Sequence, residues 1–159
     1  MNQKLFLLFH IGRDRYALQA SDVAVVLPLA PLKQVPGAPP SVAGLFSYGG
    51  QHVPVLDISH LAHGQPAAVR MSTRLVLIHY ALPGRAAQLL GLVLEKATDT
   101  LRCDPADFQS SGLDNQEAPY LGPVLRHHGE LLQWITVDAL LDARTRELLF
   151  PEQPAGEAA

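Results

Sequence analysis

The chain has 159 residues, 48% of them apolar, a formal net charge of −3 and a single cysteine. That length gives one compact domain or two small packed subdomains, with enough apolar material for a core. The slight acidic excess is not the footprint of a nucleic-acid binder, and the lone Cys103 has no internal disulfide partner, which points to a reducing cytoplasm.

The first apolar run, residues 4–11, is stopped at once by Gly12-Arg13-Asp14-Arg15. It is too short to insert in a membrane and lacks a small-residue cleavage site, so it reads as a strand. A charged turn and a returning strand at 16–19 follow. Ser21 or Asp22 caps one helical turn, and the β-branched run 23–27 is strand again. Five prolines make 28–40 an extended connector. Next comes VAGLFSYGGQHVPVLDISHL, two alternating runs flanking Gly49-Gly50. A Gly-Gly pair accepts the two positive φ angles of a type I′ hairpin, which sets Phe46 opposite Val53 and Val55 on the same face. Ser47 and His52 take the other, wetter face. Pro54 has no amide hydrogen, so its strand is an edge or carries a bulge, and Asp57 caps a short helix.

Residues 62–71 read as a polar, mobile loop. A second hairpin spans 74–80 and 86–94 around Pro83-Gly84-Arg85, and 96–101 extends it. Residues 103–119 are another connector. YLGPVLRHHGELLQWITVDAL then repeats the central hairpin: Gly122 stands for Gly44, Gly129 for Gly50 after one extra loop residue, Leu132, Trp134 and Ile135 for Val53, Val55 and Leu56, and Thr136 for Asp57. Upstream, Ala17-Leu18 through Val23 to Leu27 matches Gly91-Leu92 through Ala97 to Leu101. Two echoes in one order indicate duplication of a small β module. The expectation is an all-β, mainly antiparallel domain over 4–150, with barrels at roughly 13–80 and 84–142 and edge strands open to exchange. Leucines 140, 141, 148 and 149 among charges give a helix at 137–149, and 151–159 a flexible tail.

Catalytic chemistry has little to stand on. His60 and His63 share a helical turn and His127-His128 a hairpin tip, but no third ligand is fixed, so no metal is assigned. Cys103 as a nucleophile needs a depressed pKa, and the adjacent Asp104 acts the other way. No nucleophile elbow, phosphate loop or dinucleotide fingerprint occurs, so no cofactor and no catalytic residue is named. Function then rests on surface. Val23, Val25, Leu27, Leu45 and the turn-flanking Tyr48 are the candidates for an apolar groove at the junction of the modules, suited to a partner helix or hairpin.

Taken in order, FLLFHIGRDRYALQASDVAVVL, VPGAPPSVAGLFSYGGQHVPVLDIS, LLGLVLEKATDTL and YLGPVLRHHGELLQWITVDALL resemble the CheW-like domain family over about residues 4–142. The resemblance implies two five-stranded SH3-like barrels with a hydrophobic groove between them. It also implies a non-enzymatic adaptor linking the tip of a methyl-accepting chemoreceptor to the regulatory domain of a CheA-type histidine kinase, which shares the fold. Val23, Val25, Leu27, Leu45, Tyr48, Gly49 and Gly50 would then form the receptor side, and Leu92 and Leu94 the kinase side. The family's usual Asn-Leu-Arg-Gly at the central turn is here Ser47-Tyr48-Gly49-Gly50, and an acid common after the first helical turn is Val25. Glycine cannot mimic a guanidinium fork, which marks a specialised coupler. The alternatives are an interaction or ligand-binding barrel outside chemosensing, and a metal-dependent hydrolase built on His60 and His63.

Overall fold

The computed structural model describes residues 2–152. Its strands are β1 (Lys4–Ile11), β2 (Asp14–Gln19), β3 (Val23–Pro28), β4 (Val42–Tyr48) and β5 (Gln51–Asp57), followed by helix α1 (Ile58–His63). Then come β6 (Arg74–Leu82), β7 (Arg85–Cys103), β8 (Leu121–His127), β9 (Glu130–Ile135) and helix α2 (Ala143–Leu149). Strands β3, β6, the first half of β7, β5 and β4 form one five-stranded set, closed by Lys33 bridging back to Leu45. The second half of β7, then β1, β2, β9 and β8 form the other, closed by Gln109 bridging to Val124. Each is antiparallel apart from a single parallel pair, β5 with β7 and β2 with β9. The two SH3-like barrels therefore share one path of strand pairing.

Both barrels must be small where that parallel pair closes. Gly91 lies opposite Val55, and a Cβ there would stand 2.8 Å from a Val55 methyl. Ala17, fully buried, takes the matching place opposite Trp134. Both hairpin turns are two residues long: Gly49-Gly50 has φ of 56° and 80°, and His128-Gly129 has 50° and 78°. The extra loop residue expected in the second copy is therefore not there. The one-residue difference lies in the bulges, between Val42 and Gly44 in β4 and between Leu121 and Val124 in β8. Pro54 pairs with Leu45, whose own amide and carbonyl turn outward to Lys33. At such a position the missing proline N–H also points outward, one residue before pairing with β7 begins at Val55.

The runs FLLF in β1 and LVLI in β6 are apolar on both faces because each strand serves two cores. Phe6 and Leu8 fill one barrel with Leu132, while Leu75 and Leu77 fill the other with Val53 and Val55. The alternate side chains Leu7, Phe9, Val76, Ile78 and Tyr80 face between the barrels, where they join Leu18, Leu92, Leu94, Ile135 and Leu140 in the largest core. Tyr80 stacks on Phe150 at 5.6 Å, and the Arg85 guanidinium donates to the carbonyls of Phe150 and Pro151, at 2.6 and 3.2 Å, fastening the two residues that follow α2.

Two expectations are corrected, the division of the barrels and the last helix. The hairpin of β1 and β2 belongs with the late strands, so the division runs through β7 instead of between 13–80 and 84–142; strand partners are a long-range choice that local pattern does not encode. Residues 96–101 extend 86–94 as expected, in one 19-residue strand that crosses between barrels with Lys96 at φ 50°. The helix expected at 137–149 splits into a 3-10 turn, Val137–Ala139, and α2, because Asp142 is extended and its carboxylate caps Thr145 N at 2.7 Å. The tail expected at 151–159 lies, from residue 153, outside the described residues.

Candidate docking surfaces

The expected partner residues do not gather into one groove. Along β3 burial alternates, with Val23, Val25 and Leu27 turned inward and Ala24, Val26 and Pro28 outward. Val25 and Leu27 pack against the barrel core around Val53, and Val23 against the core between barrels. Leu92 and Leu94 are 0% and 1% exposed in that central core, so neither offers a surface to a kinase. β7 is covered on both faces there, which is why its leucines look so apolar. Tyr48 is exposed and stacks on Phe46 at 6.4 Å, beside the exposed Gly49-Gly50 turn; Leu45 is half-buried on the wetter face of the same hairpin. The junction of the barrels is filled with side chains along its centre, and at one side a cleft of about 520 Å³ opens between Pro39, Ser41, Leu56 and Leu61 of the first barrel and Leu140, Leu141 and Leu148 after β9.

The exposed apolar surface lies elsewhere. On the first barrel, the segment after β3 (Pro28, Leu29, Ala30, Pro31) and the loop before β6 (Val69, Arg70, Met71, Thr73, Arg74) wall a cleft of about 730 Å³. Val69 and Met71 are 85% and 95% exposed, and Val26 continues the apolar face along β3. No lining residue is acidic, and the ion pair found among the described residues, Arg15 with Asp99 at 3.9 Å, lies elsewhere, so Arg70 and Arg74 face the cleft without a carboxylate partner. Sequence reasoning passed over this surface because residues 62–71 are small and polar on average. The usable signal was Val69 and Met71 standing in a loop with nothing local to cover them.

That loop, for all its lack of regular structure, is fastened by hydrogen bonds at Ala67, Ala68 and Thr73. The Asp57 carboxylate accepts from His60 N at 3.1 Å on α1 and from Ala67 N at 3.0 Å in the loop. Glu95 accepts from the Ser59 hydroxyl at 2.9 Å and from Ala68 N at 3.0 Å. The buried Thr73 hydroxyl donates to Ala68 O at 2.6 Å.

The second barrel carries another cleft, of about 530 Å³, with the exposed Leu113 and Leu131 on its walls and Arg13, Asp14 and Glu130 around them. Reactive chemistry is weak throughout. Burial pushes the Cys103 thiol up, and Asp107 and Asp104 push it the same way, opposite to what a nucleophile needs. Burial, with His128 and Arg15 nearby, holds His127 below the usual imidazole range, and the two histidine rings meet edge to face at 4.1 Å. Among the described residues no three His, Cys, Asp or Glu side chains converge as a metal site, and no helix is long and apolar enough to cross a membrane.

Comparison with known proteins adds three findings. The CheW-like domain model matches residues 5–145. The chemotaxis protein CheW of Bacillus subtilis (strain 168) is 21% identical over 149 residues, covering 92% of each chain. The crystal structure of the scaffolding protein TtCheW from Thermoanaerobacter tengcongensis superposes with a TM-score of 0.80 at 16% identity, covering 94% of each chain.

Proposed function

The chain belongs to the CheW-like domain family, and we propose that it is a non-enzymatic adaptor of a bacterial chemosensory system. In this reading it holds the cytoplasmic tip of a methyl-accepting receptor and the regulatory domain of a CheA-type histidine kinase on separate surfaces. The observation that carries it is a pair of clefts with exposed apolar walls on different barrels, joined by one shared packed core. A scaffold needs two docking sites that do not compete, and a fixed geometry between them.

The receptor side is the cleft of Pro28, Leu29, Pro31, Val69 and Met71, extended by Val26. A helical hairpin can lay apolar side chains into it and set carboxylates against Arg70 and Arg74. Val23, Val25 and Leu27 support that surface from behind, while Tyr48 and the Gly49-Gly50 turn flank the same barrel. The kinase side is the cleft of Leu113 and Leu131, where a barrel of the same architecture meets an apolar end. The protein works in the cytoplasm and reaches membrane clusters through the receptor, without inserting.

Affinity capture with immobilised chain tests this. Wild type should retain both a methyl-accepting receptor and a histidine kinase. Met71→Asp should lose the receptor and keep the kinase, and Leu131→Asp should do the reverse. Retention of both partners by both variants would refute the assignment of surfaces; recovery of neither partner by wild type would refute the adaptor reading.

A further inference from the structure

The chain leaves the second barrel at β9 and returns to the first. After the turn at Val137–Ala139, Leu140 and Leu141 enter the core between the barrels. Asp142 then starts α2, whose Arg144, Thr145 and Leu148 face Ser41, Leu56 and Leu61 of the first barrel across the cleft at the junction. At its other end Leu149, with Phe150 and Pro151, faces Gln51, Val53 and Arg85 across a second cleft, also of about 520 Å³. One short helix is thus a wall of both clefts. At seven residues it is too short to hold its shape alone. Its start rests on the Asp142 carboxylate, and its end is clasped by the hairpin of β6 and β7. There Arg85 donates to the Phe150 and Pro151 carbonyls, and the Phe150 ring lies on Tyr80, 10° from parallel. The Tyr80 hydroxyl beneath it is buried and has no hydrogen-bond partner among the described residues.

From this geometry we infer that α2 is a strap across the first barrel, latched at Phe150 and able to open while both barrels stay folded. A buried hydroxyl without a partner weighs against the closed state, because water would satisfy it. Release of Phe150 uncovers Tyr80 and lifts that penalty, which offsets part of the lost aromatic contact. The barrels themselves do not depend on the latch. Tyr80 is held in register opposite Gln88 of β7 by the strand ladder, not by Phe150. A segment fastened by few buried side chains opens well below the free energy of global unfolding. Here those side chains are Thr145 and Phe150, helped by the half-buried Leu149. Because α2 is a wall of both clefts, its opening runs them together along the flank of the first barrel. The strap is independent of the docking surfaces proposed above.

Native-state hydrogen exchange on the full chain tests this at two amides, Arg146 N, which donates to Asp142 O, and Phe150 N, which donates to Arg146 O. Paired amides of β6 and β7 in the central core are the reference. In wild type the two α2 amides should exchange at least about a hundredfold faster than the reference amides, after correction for intrinsic rates. Tyr80→Phe, which removes the unpaired hydroxyl and keeps the ring, should slow both α2 amides by about tenfold. Arg85→Ala should speed both by about fivefold or more, and Phe150→Ala by about a hundredfold. Should Phe150→Ala fail to fold, Tyr80→Phe and Arg85→Ala carry the test, since both leave Phe150 in place. Equal protection of α2 and the reference amides in wild type would overturn the strap, because α2 would then open only with the barrels. Slowing of the reference amides alone in Tyr80→Phe would overturn the latch, because the hydroxyl would stay buried when α2 opens. Faster α2 exchange in Tyr80→Phe, or unchanged exchange in Arg85→Ala, would overturn it as well.

Discussion

Gly44 has φ 149°, and a Cβ there would stand 2.4 Å from the Lys33 carbonyl oxygen, the acceptor that closes the first barrel. Gly44→Ala should therefore cost about 2 kcal/mol or more in a denaturant titration, and a loss below about 0.5 kcal/mol would contradict the close approach. The same residue type at Gly49-Gly50 was legible in the sequence, because two adjacent glycines between alternating runs are turn chemistry written locally. Lys96 at φ 50° was not legible, since nothing in a lysine announces a left-handed backbone. Leu92 and Leu94 were misplaced for a related reason. An apolar side chain on a strand buried on both faces carries no mark of which side is solvent. Leu92→Ala should lower stability by about 2–5 kcal/mol, as for a fully buried leucine. A normal melting temperature with selective loss of kinase binding would contradict its place in the core.

At the scale of elements, α2 is seven residues long and owes its start to Asp142. The Thr145 amide and hydroxyl hold the Asp142 carboxyl below its usual value of 3.8. A carboxylate with a lowered folded pKa contributes stability that is present above that usual value and is lost as pH falls through the lowered one. Asp142→Ala should cost about 1 kcal/mol near neutral pH, and the difference from wild type should shrink as pH drops below about 4. A difference constant down to pH 2 would contradict the cap. The sequence held this signal in Asp142 and Thr145, three residues apart, but the leucine spacing across 137–149 overrode it. In β3 the error was one of parity. The run AVVLP is apolar throughout, and only its pairing with β6 turns Val25 inward and Val26 outward.

At the scale of the molecule, the duplicated module was legible because both copies keep hairpin, bulge and closing small residue in one order. Which barrel the first hairpin joins was not, because β1 pairs with β7 across most of the chain. That exchange decides where function can sit. Since β1, β6 and β7 serve the core between barrels, their inward side chains there are not open to a partner, and the docking surface proposed for the receptor falls on loops and edges such as Val26, Val69 and Met71. The central claim is that a receptor hairpin docks on the outer cleft of the first barrel and leaves the seam closed. Hydrogen–deuterium exchange, with and without a bound receptor hairpin, tests this most directly. The account predicts new protection concentrated in residues 24–31 and 68–74, with amides of the central core unchanged. Protection centred on β8 and β9, with residues 68–74 exchanging as fast as in the free protein, would contradict it.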